Sequence, residues 1–281
     1  MNYYKEIKTE LINNEVYKRV KDYSKNRNDL MTYYNVGKLL IEAQGGEQRA
    51  KYGDNLIKEY SIKLTKELDK KYSTTLLKNI RQYYLTTIKC PTLSDKLSWS
   101  HYVELIWLND INEINYYIEE TINNNLSVRE LRNRIKSKEY ERLPDNTKNK
   151  LINKTPLEVQ DMVKNPIIIK NTKNVESVSE KVLKQLILED ISSFLKELGN
   201  GFSYLDQEYK IKIGDTYNYI DLILFNYIYN CFVVVELKVT ELKKEHIGQI
   251  QVYMNYVDKN LRTINQDKTI GIIVSKKIIN M

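Results

Sequence analysis

Within the run Val233-Val234-Val235-Glu236-Leu237-Lys238, a carboxylate and an amine stand two residues apart. Side chains two apart in a strand point to the same face, so Glu236 and Lys238 project together, against the alternation of Val235 and Leu237. The preceding run, Tyr219-Ile220-Asp221-Leu222-Ile223-Leu224-Phe225, holds one acid in an otherwise apolar stretch. Hairpin pairing of the two runs can set Asp221 beside Glu236. An unpaired acid in a buried strand costs roughly several kcal/mol, so this placement calls for a compensating ligand or partner. For an isolated Glu-X-Lys tripeptide the commoner explanation is an ordinary ion pair at a strand end, of Lys238 with Glu236 or Asp221.

The elements around these residues are readable from their periodicity. Val182, Leu186, Ile187, Ile191, Phe194, Leu195 and Leu198 predict a helix closed by Gly199, a residue that tolerates a left-handed backbone. Strands are expected over 202–213, 217–225 and 231–239, which are rich in β-branched and aromatic residues, with turns at Gly214-Asp215 and 226–230. A helix carrying Ile247, Ile250, Met254 and Val257 and a strand over 269–274 follow. The order of helix, three-strand meander, crossover helix and strand predicts an α/β sandwich with a mixed sheet.

The front half is helical in pattern almost throughout, with amphipathic repeats at Leu30 to Ile41, Ile57 to Leu68, Leu76 to Ile88 and Ile111 to Ile122. Ser127-Val128-Arg129-Glu130 restarts a helix as a capping box. Pro144, Pro156 and Pro166 fall within one short polar stretch, which places a linker there. The fold class expected is therefore α+β overall. An all-α domain over 1–142 and a linker over 143–175 lead into an α/β domain over 176–281, with a central mixed sheet flanked by helices.

At 281 residues, with 42% hydrophobic and 29% charged residues, the chain can form one large domain or two ordinary ones, of which two are expected, and is not a disordered polymer. Its formal net charge is +7, and residues 49–89 alone hold 10 basic against 4 acidic side chains. Such an excess attracts a polyanion by counterion release, although a lysine-rich solvated helix surface fits the same count. The 23 tyrosines accompany abundant Asn, Lys and Ile, a joint bias of AT-rich coding, so base stacking is not implied. Two distant cysteines and two histidines argue against structural zinc and disulfides, which fits a reducing cytoplasm. His101 is read as a core residue, since no nucleophile pattern accompanies it. No apolar run approaches membrane-spanning length, so a soluble, cytoplasmic protein without a membrane partner is expected.

The ordered set of acid strand, short turn, Glu236-Leu237-Lys238 strand, helix and strand resembles the PD-(D/E)XK nuclease superfamily, with Ile220 where the motif has proline. Residues 182–275 are similar to the YhcG-type nuclease domain. The similarity runs through Phe194 to Phe202, Tyr219-Ile220-Asp221-Leu222, Val235-Glu236-Leu237-Lys238, Gly248-Gln249 and Ile270-Gly271-Ile272-Ile273. Residues 30–142 are similar to the helical N-terminal domain of the same proteins, through Tyr52-Gly53, Leu97 to Tyr102 and Val128-Arg129-Glu130-Leu131. Two departures stand out. Gln207-Glu208 occupies the place of the usual Arg-Gln pair, and the chain ends at Met281, earlier than such a nuclease domain is expected to end.

The resemblance implies a restriction-endonuclease-like fold and a metal-dependent nuclease that hydrolyses phosphodiester bonds, foremost a DNA endonuclease. An RNA substrate, or an inert nuclease fold that binds nucleic acid or assembles with a partner, are the alternatives. Asp221 and Glu236 would be hard oxygen ligands for Mg²⁺ or Mn²⁺, with the Leu237 carbonyl and waters completing the shell. Lys238 would orient or help deprotonate a water and contact the phosphate. Gln249, one turn before Tyr253, is expected either to hold Lys238 or a phosphate or to sit on a polar helix face. Glu189, ahead of Glu180, is expected to complete the site from the first helix of the domain. In the front domain, the helix after Ser73 would be the second of a helix-turn-helix, presenting Lys78 and Arg81 to DNA; a plain bundle is the alternative. A homodimer is compatible with such an enzyme, since many nucleases that cut two strands are dimers.

Overall fold

A computed structural model describes residues 3–19, 25–46, 54–90, 96–169, 171 and 178–275. Tyr52-Gly53 and the last residues before Met281 lie outside the described residues. The chain divides into two compact units, Met1–Tyr140 and Glu141–Met281.

The first unit is helical: α1 (Tyr3–Arg19), α2 (Lys25–Ala43), α3 (Asp54–Glu67), α4 (Thr74–Lys89), α5 (Trp99–Leu105), α6 (Ile111–Asn123) and α7 (Val128–Lys136). Leu40 of α2, Ile57, Tyr60 and Leu64 of α3, the last three spaced at three and four, and Leu77 and Ile80 of α4 are buried in one core. Helix α4 starts where Ser73 accepts the Leu76 amide at 3.1 Å. It then packs against α2, α3 and α5. Gly37 permits the close crossing of α2 and α4, since a Cβ there would lie 2.6 Å from the Ile80 carbonyl oxygen. The Ser127 capping box is present, with the Ser127 amide donating to Glu130 at 2.9 Å and the Glu130 amide donating to Ser127 Oγ at 3.3 Å.

The second unit begins with α8 (Asp145–Ile152) and α9 (Val159–Met162), followed by α10 (Glu180–Glu189), α11 (Ile191–Leu198), β1 (Phe202–Ile213), β2 (Thr216–Asn226), β3 (Cys231–Lys238), α12 (Lys244–Asn260) and β4 (Asp267–Ser275). Much of the stretch read as a linker is thus ordered structure. Pro144 sits at the N-cap of α8, where a missing amide costs nothing. Val159 is buried in the core of the sheet, with Ile167 and Ile169 packed against it. Arg142 donates to the Glu197 carboxylate at 2.6 Å and to the Pro166 carbonyl at 2.9 Å, which pins the stretch to α11.

The helix read as continuous over 182–198 is two helices. Asp190, at φ −133° and ψ 54°, ends α10 and caps α11 by accepting the Ser193 amide at 3.2 Å. A short acid that bonds neighbouring backbone competes with the helix ladder, and here it wins although the apolar spacing runs on.

The sheet order is β1-β2-β3-β4, antiparallel between β1, β2 and β3 and parallel between β3 and β4, with α12 as the crossover. Helices α10 and α11 cover one face through Ile187, Phe194 and Leu198 against Leu222, Leu224, Val233 and Val235. Helix α12 covers the other with Ile250, Tyr253 and Val257 against Ile211, Ile220, Ile223 and Val234. Strand β3, buried on both faces, reads as a continuous apolar run for that reason. The architecture is α+β: a helical region followed by a four-strand mixed sheet with helices. Among the described residues no helix is long and apolar enough to cross a membrane.

Candidate active site

The β2–β3 ladder runs from Asn226↔Cys231 to Leu222↔Val235. Beyond it, the Leu237 amide donates to Asp221 Oδ2 at 2.9 Å, while β3 stays paired to β4 as far as Lys238↔Ser275. Into this opening project Asp221 from β2 and Glu236 and Lys238 from β3. Glu236 is 3% exposed. Its Oε1 lies 2.9 Å from Lys238 Nζ, and its Oε2 is buried without a hydrogen-bond partner.

Electrostatics follow from this crowding. Burial, above all, pushes the Glu236 carboxyl above the usual carboxylate range; Lys238 opposes the rise, and the neighbouring charges of Asp221 and Glu180 add to it. Burial alone would lower the Lys238 ammonium, but its hydrogen bond to Glu236 and the charges of Glu236, Glu180 and Asp221 outweigh that and raise it.

The donor set can be tested against a divalent cation. Among the described residues no group of three or more His, Cys, Asp and Glu side chains gathers as a metal cluster. What the opening offers is two carboxylates, one with a buried oxygen that lacks a partner. Hard carboxylate oxygens of this kind suit Mg²⁺ or Mn²⁺ better than soft-ligand metals.

The other expected residues fare differently. Gln249 donates to the Tyr253 hydroxyl at 2.8 Å, so the contact seen for it is within α12, whereas Lys238 faces Glu236 and Glu180. Glu180 lies 3.9 Å from Lys238 at the start of α10. Glu189 is an exposed residue at the other end of α10, about 13 Å of helix rise away, so Glu180 is the acid of α10 that lies beside Lys238. In the first unit Lys78 and Arg81 are half-buried on α4, and Arg81 reaches Gln44 at 3.4 Å. His101 caps α5, with Nδ1 2.8 Å from Ser98 Oγ and Nε2 3.0 Å from the Leu126 carbonyl.

Lys184 had no place in the sequence reading of the site, and Glu208 entered it only as a departure from the family's usual pair. Lys184 of α10 lies 2.8 Å from Asp221 Oδ1 and 3.1 Å from Glu208 Oε1. Burial would lower its ammonium, but the hydrogen bonds and charges of Asp221 and Glu208 raise it. Glu180 and Lys184 share a helix face at i, i+4, a spacing that makes Lys184 readable once Glu180 is placed. Glu208, flanked by the pairs Gln207↔Leu222 and Tyr209↔Ile220, falls opposite Asp221.

Residues 160–280 match the YhcG PDDEXK nuclease domain, and residues 9–142 match the DUF1016 N-terminal domain. The chain is 27% identical over 282 residues to YhcG of Escherichia coli (strain K12), named as a nuclease by inference. That match spans 86% of this chain and 75% of the relative. No solved structure matches the chain significantly.

Proposed function

We propose that this chain, which belongs to the YhcG-type PD-(D/E)XK nucleases, is a Mg²⁺- or Mn²⁺-dependent DNA endonuclease whose centre is Asp221, Glu236 and Lys238. The observation that carries the reading is the Glu236 Oε2 atom, buried and without a partner in an opening shared with Asp221. A buried ionised oxygen in that state is destabilising unless a cation meets it. Asp221 and Glu236 would hold the ion. Bound there, it would lower the pKa of a water and neutralise charge on the phosphate.

The chain's own residues supply the rest. Lys238, fixed by its contact with Glu236 on the same strand face, would offer an ammonium to a phosphate oxygen as that oxygen gains charge. Glu180 steadies that ammonium from the second side. The Asp221 link to the Leu237 amide holds β3 at a fixed distance from β2, so the two carboxylates stay oriented before substrate arrives. The basic excess over 49–89 supports a polyanionic substrate.

A cleavage assay on plasmid, branched DNA, single-stranded DNA and RNA, each with Mg²⁺, Mn²⁺ or EDTA, tests the proposal. Internal cuts in DNA that EDTA abolishes are the expected result. Cleavage of RNA alone, or cleavage that persists in EDTA, would overturn it.

A further inference from the structure

We infer that Lys184 is a resident counter-ion that competes with a divalent cation for Asp221, and that filling the site moves its ammonium from Asp221 to Glu208. The inference rests on the proposal that Asp221 and Glu236 hold the cation.

Both oxygens of Asp221 are engaged: Oδ2 accepts the Leu237 amide at 2.9 Å and Oδ1 lies 2.8 Å from Lys184 Nζ. The side chains of Asp221 and Lys184 are each 19% exposed, so water screens their attraction only in part. A cation approaching Oδ1 would meet the ammonium at contact range, and two positive charges on one oxygen repel strongly in such surroundings. One has to leave. Lysine has a flexible four-carbon stem, and a second anion is already within reach, Glu208 at 3.1 Å. Glu208 is 66% exposed and has room to follow the ammonium outward. It is also held at φ +48°, a left-handed conformation that non-glycine residues adopt rarely.

The arrangement divides the charges of the site between two lysines. Lys238 answers Glu236 and Lys184 answers Asp221, so two acids can share the opening before any cation is bound. The lysines differ in what they leave behind. Glu236 keeps an oxygen without a partner, whereas Asp221 gains one only by giving up Lys184. Cation affinity is therefore set by the exchange at Asp221.

Calorimetric titration of the full chain with Mn²⁺ tests this, alongside melting with and without the ion. Lys184→Met should bind Mn²⁺ about tenfold more tightly than wild type, a change within the usual range for two coupled binding equilibria. It should melt lower in the absence of metal and gain more from Mn²⁺ than wild type does. Lys184→Gln, which can still hydrogen-bond Asp221 without charge, should show the same tighter binding if Lys184→Met fails to fold. Glu208→Gln should weaken Mn²⁺ binding, and by less when Lys184 is already Met. Lys181→Met removes the same charge from the exposed side of α10 and should leave the affinity nearly unchanged. Wild-type affinity in both Lys184 variants, or an equal gain in Lys181→Met, overturns the competition while leaving the cation site standing. If neither wild type nor Lys184→Met takes up Mn²⁺, the metal reading falls and this inference falls with it.

Discussion

Leu237 gives its backbone amide to the Asp221 carboxylate at 2.9 Å, one step beyond the last β2–β3 pair, Leu222↔Val235. A side chain thus takes over where the ladder stops. The acid proposed as a cation ligand also holds the strand that carries the other acid, so ligand geometry and strand position would be set together.

Removing the charge and removing the acceptor should therefore separate. Asp221→Asn retains an oxygen for the Leu237 amide, whereas Asp221→Ala leaves that buried donor unsatisfied, at a cost of roughly 1–3 kcal/mol. Both variants should lose Mn²⁺ binding and cleavage, and Asp221→Ala should melt below Asp221→Asn. Glu236→Ala should lose the ion as well. Unchanged Mn²⁺ affinity by calorimetry in Asp221→Ala or Glu236→Ala would remove that residue from the ligand set.

The pin between Arg142 and Glu197 predicts a pH-dependent stability. Burial works to raise the Glu197 carboxyl, but the bonds from Arg142 and the Ile168 amide and the nearby charge of Lys164 bring it below the usual value. A depressed carboxyl contributes stability above its unfolded pKa, about 4.3 for Glu, and loses it as pH falls through the folded value. Glu197→Gln should cost roughly 3 kcal/mol at pH 7, as for one partner removed from a buried pair. The melting gap to wild type should close on acidification below pH 4. A gap of constant size down to pH 3 would show that Glu197 acts by packing alone.

Asp221 and the Glu236-Leu237-Lys238 triplet were legible because strand alternation is a property of adjacent residues, and the chain has few acids inside apolar runs. The meander and crossover were legible for the same reason. What periodicity could not supply is phase and termination. It carried one helix through Asp190, because the apolar spacing continues while a side chain breaks the backbone ladder. The resemblance asks for an acid from the first helix of the domain and puts Glu189 ahead of Glu180, but which end of α10 meets the opening depends on packing across the sheet, and Glu180 is the acid beside Lys238. Lys184 was invisible on its own: its partners Asp221 and Glu208 lie on strands far along the chain, and only their pairing brings all three together. Prolines marked a boundary in the pattern, yet Pro144 and Pro166 belong to a segment that Arg142 and Glu197 fasten down.

For the first unit, the half-buried setting of Lys78 and Arg81 moves the expected DNA contact to the exposed lysines of α3. Lys58 and Lys66 lie on its solvent side, and Leu64 and Ile57 on its buried side. In the full chain, log affinity for duplex DNA should fall linearly with log salt. Lys58→Glu and Lys66→Glu should each reduce the slope by about 1 if each neutralises one phosphate, whereas Lys78→Ala should change it little. Affinity independent of salt would return this unit to a plain helical bundle.

Lys238 poses the sharpest choice, because the same contact serves stability and chemistry. Its ammonium is 2.9 Å from Glu236 Oε1, and Glu236 Oε2 already lacks a partner. Lys238→Ala would leave both oxygens of a buried carboxylate without a protein donor, so melting in the absence of metal should fall by the equivalent of roughly 3 kcal/mol. Mg²⁺ or Mn²⁺ should recover part of that loss by meeting the same oxygens. If Lys238 also answers charge on the phosphate, cleavage measured well below the melting temperature should slow about 10²-fold or more, with nucleic-acid binding largely kept. Lys238→Arg separates the two effects. A guanidinium can still pair with Glu236 and restore melting, but its planar fork places charge differently from a compact ammonium, so cleavage should stay well below wild type. Melting temperature and rate therefore have to be taken on the same preparation with Mg²⁺ present. A Lys238→Ala protein that melts lower yet cuts at the wild-type rate would reduce Lys238 to a counter-ion of Glu236.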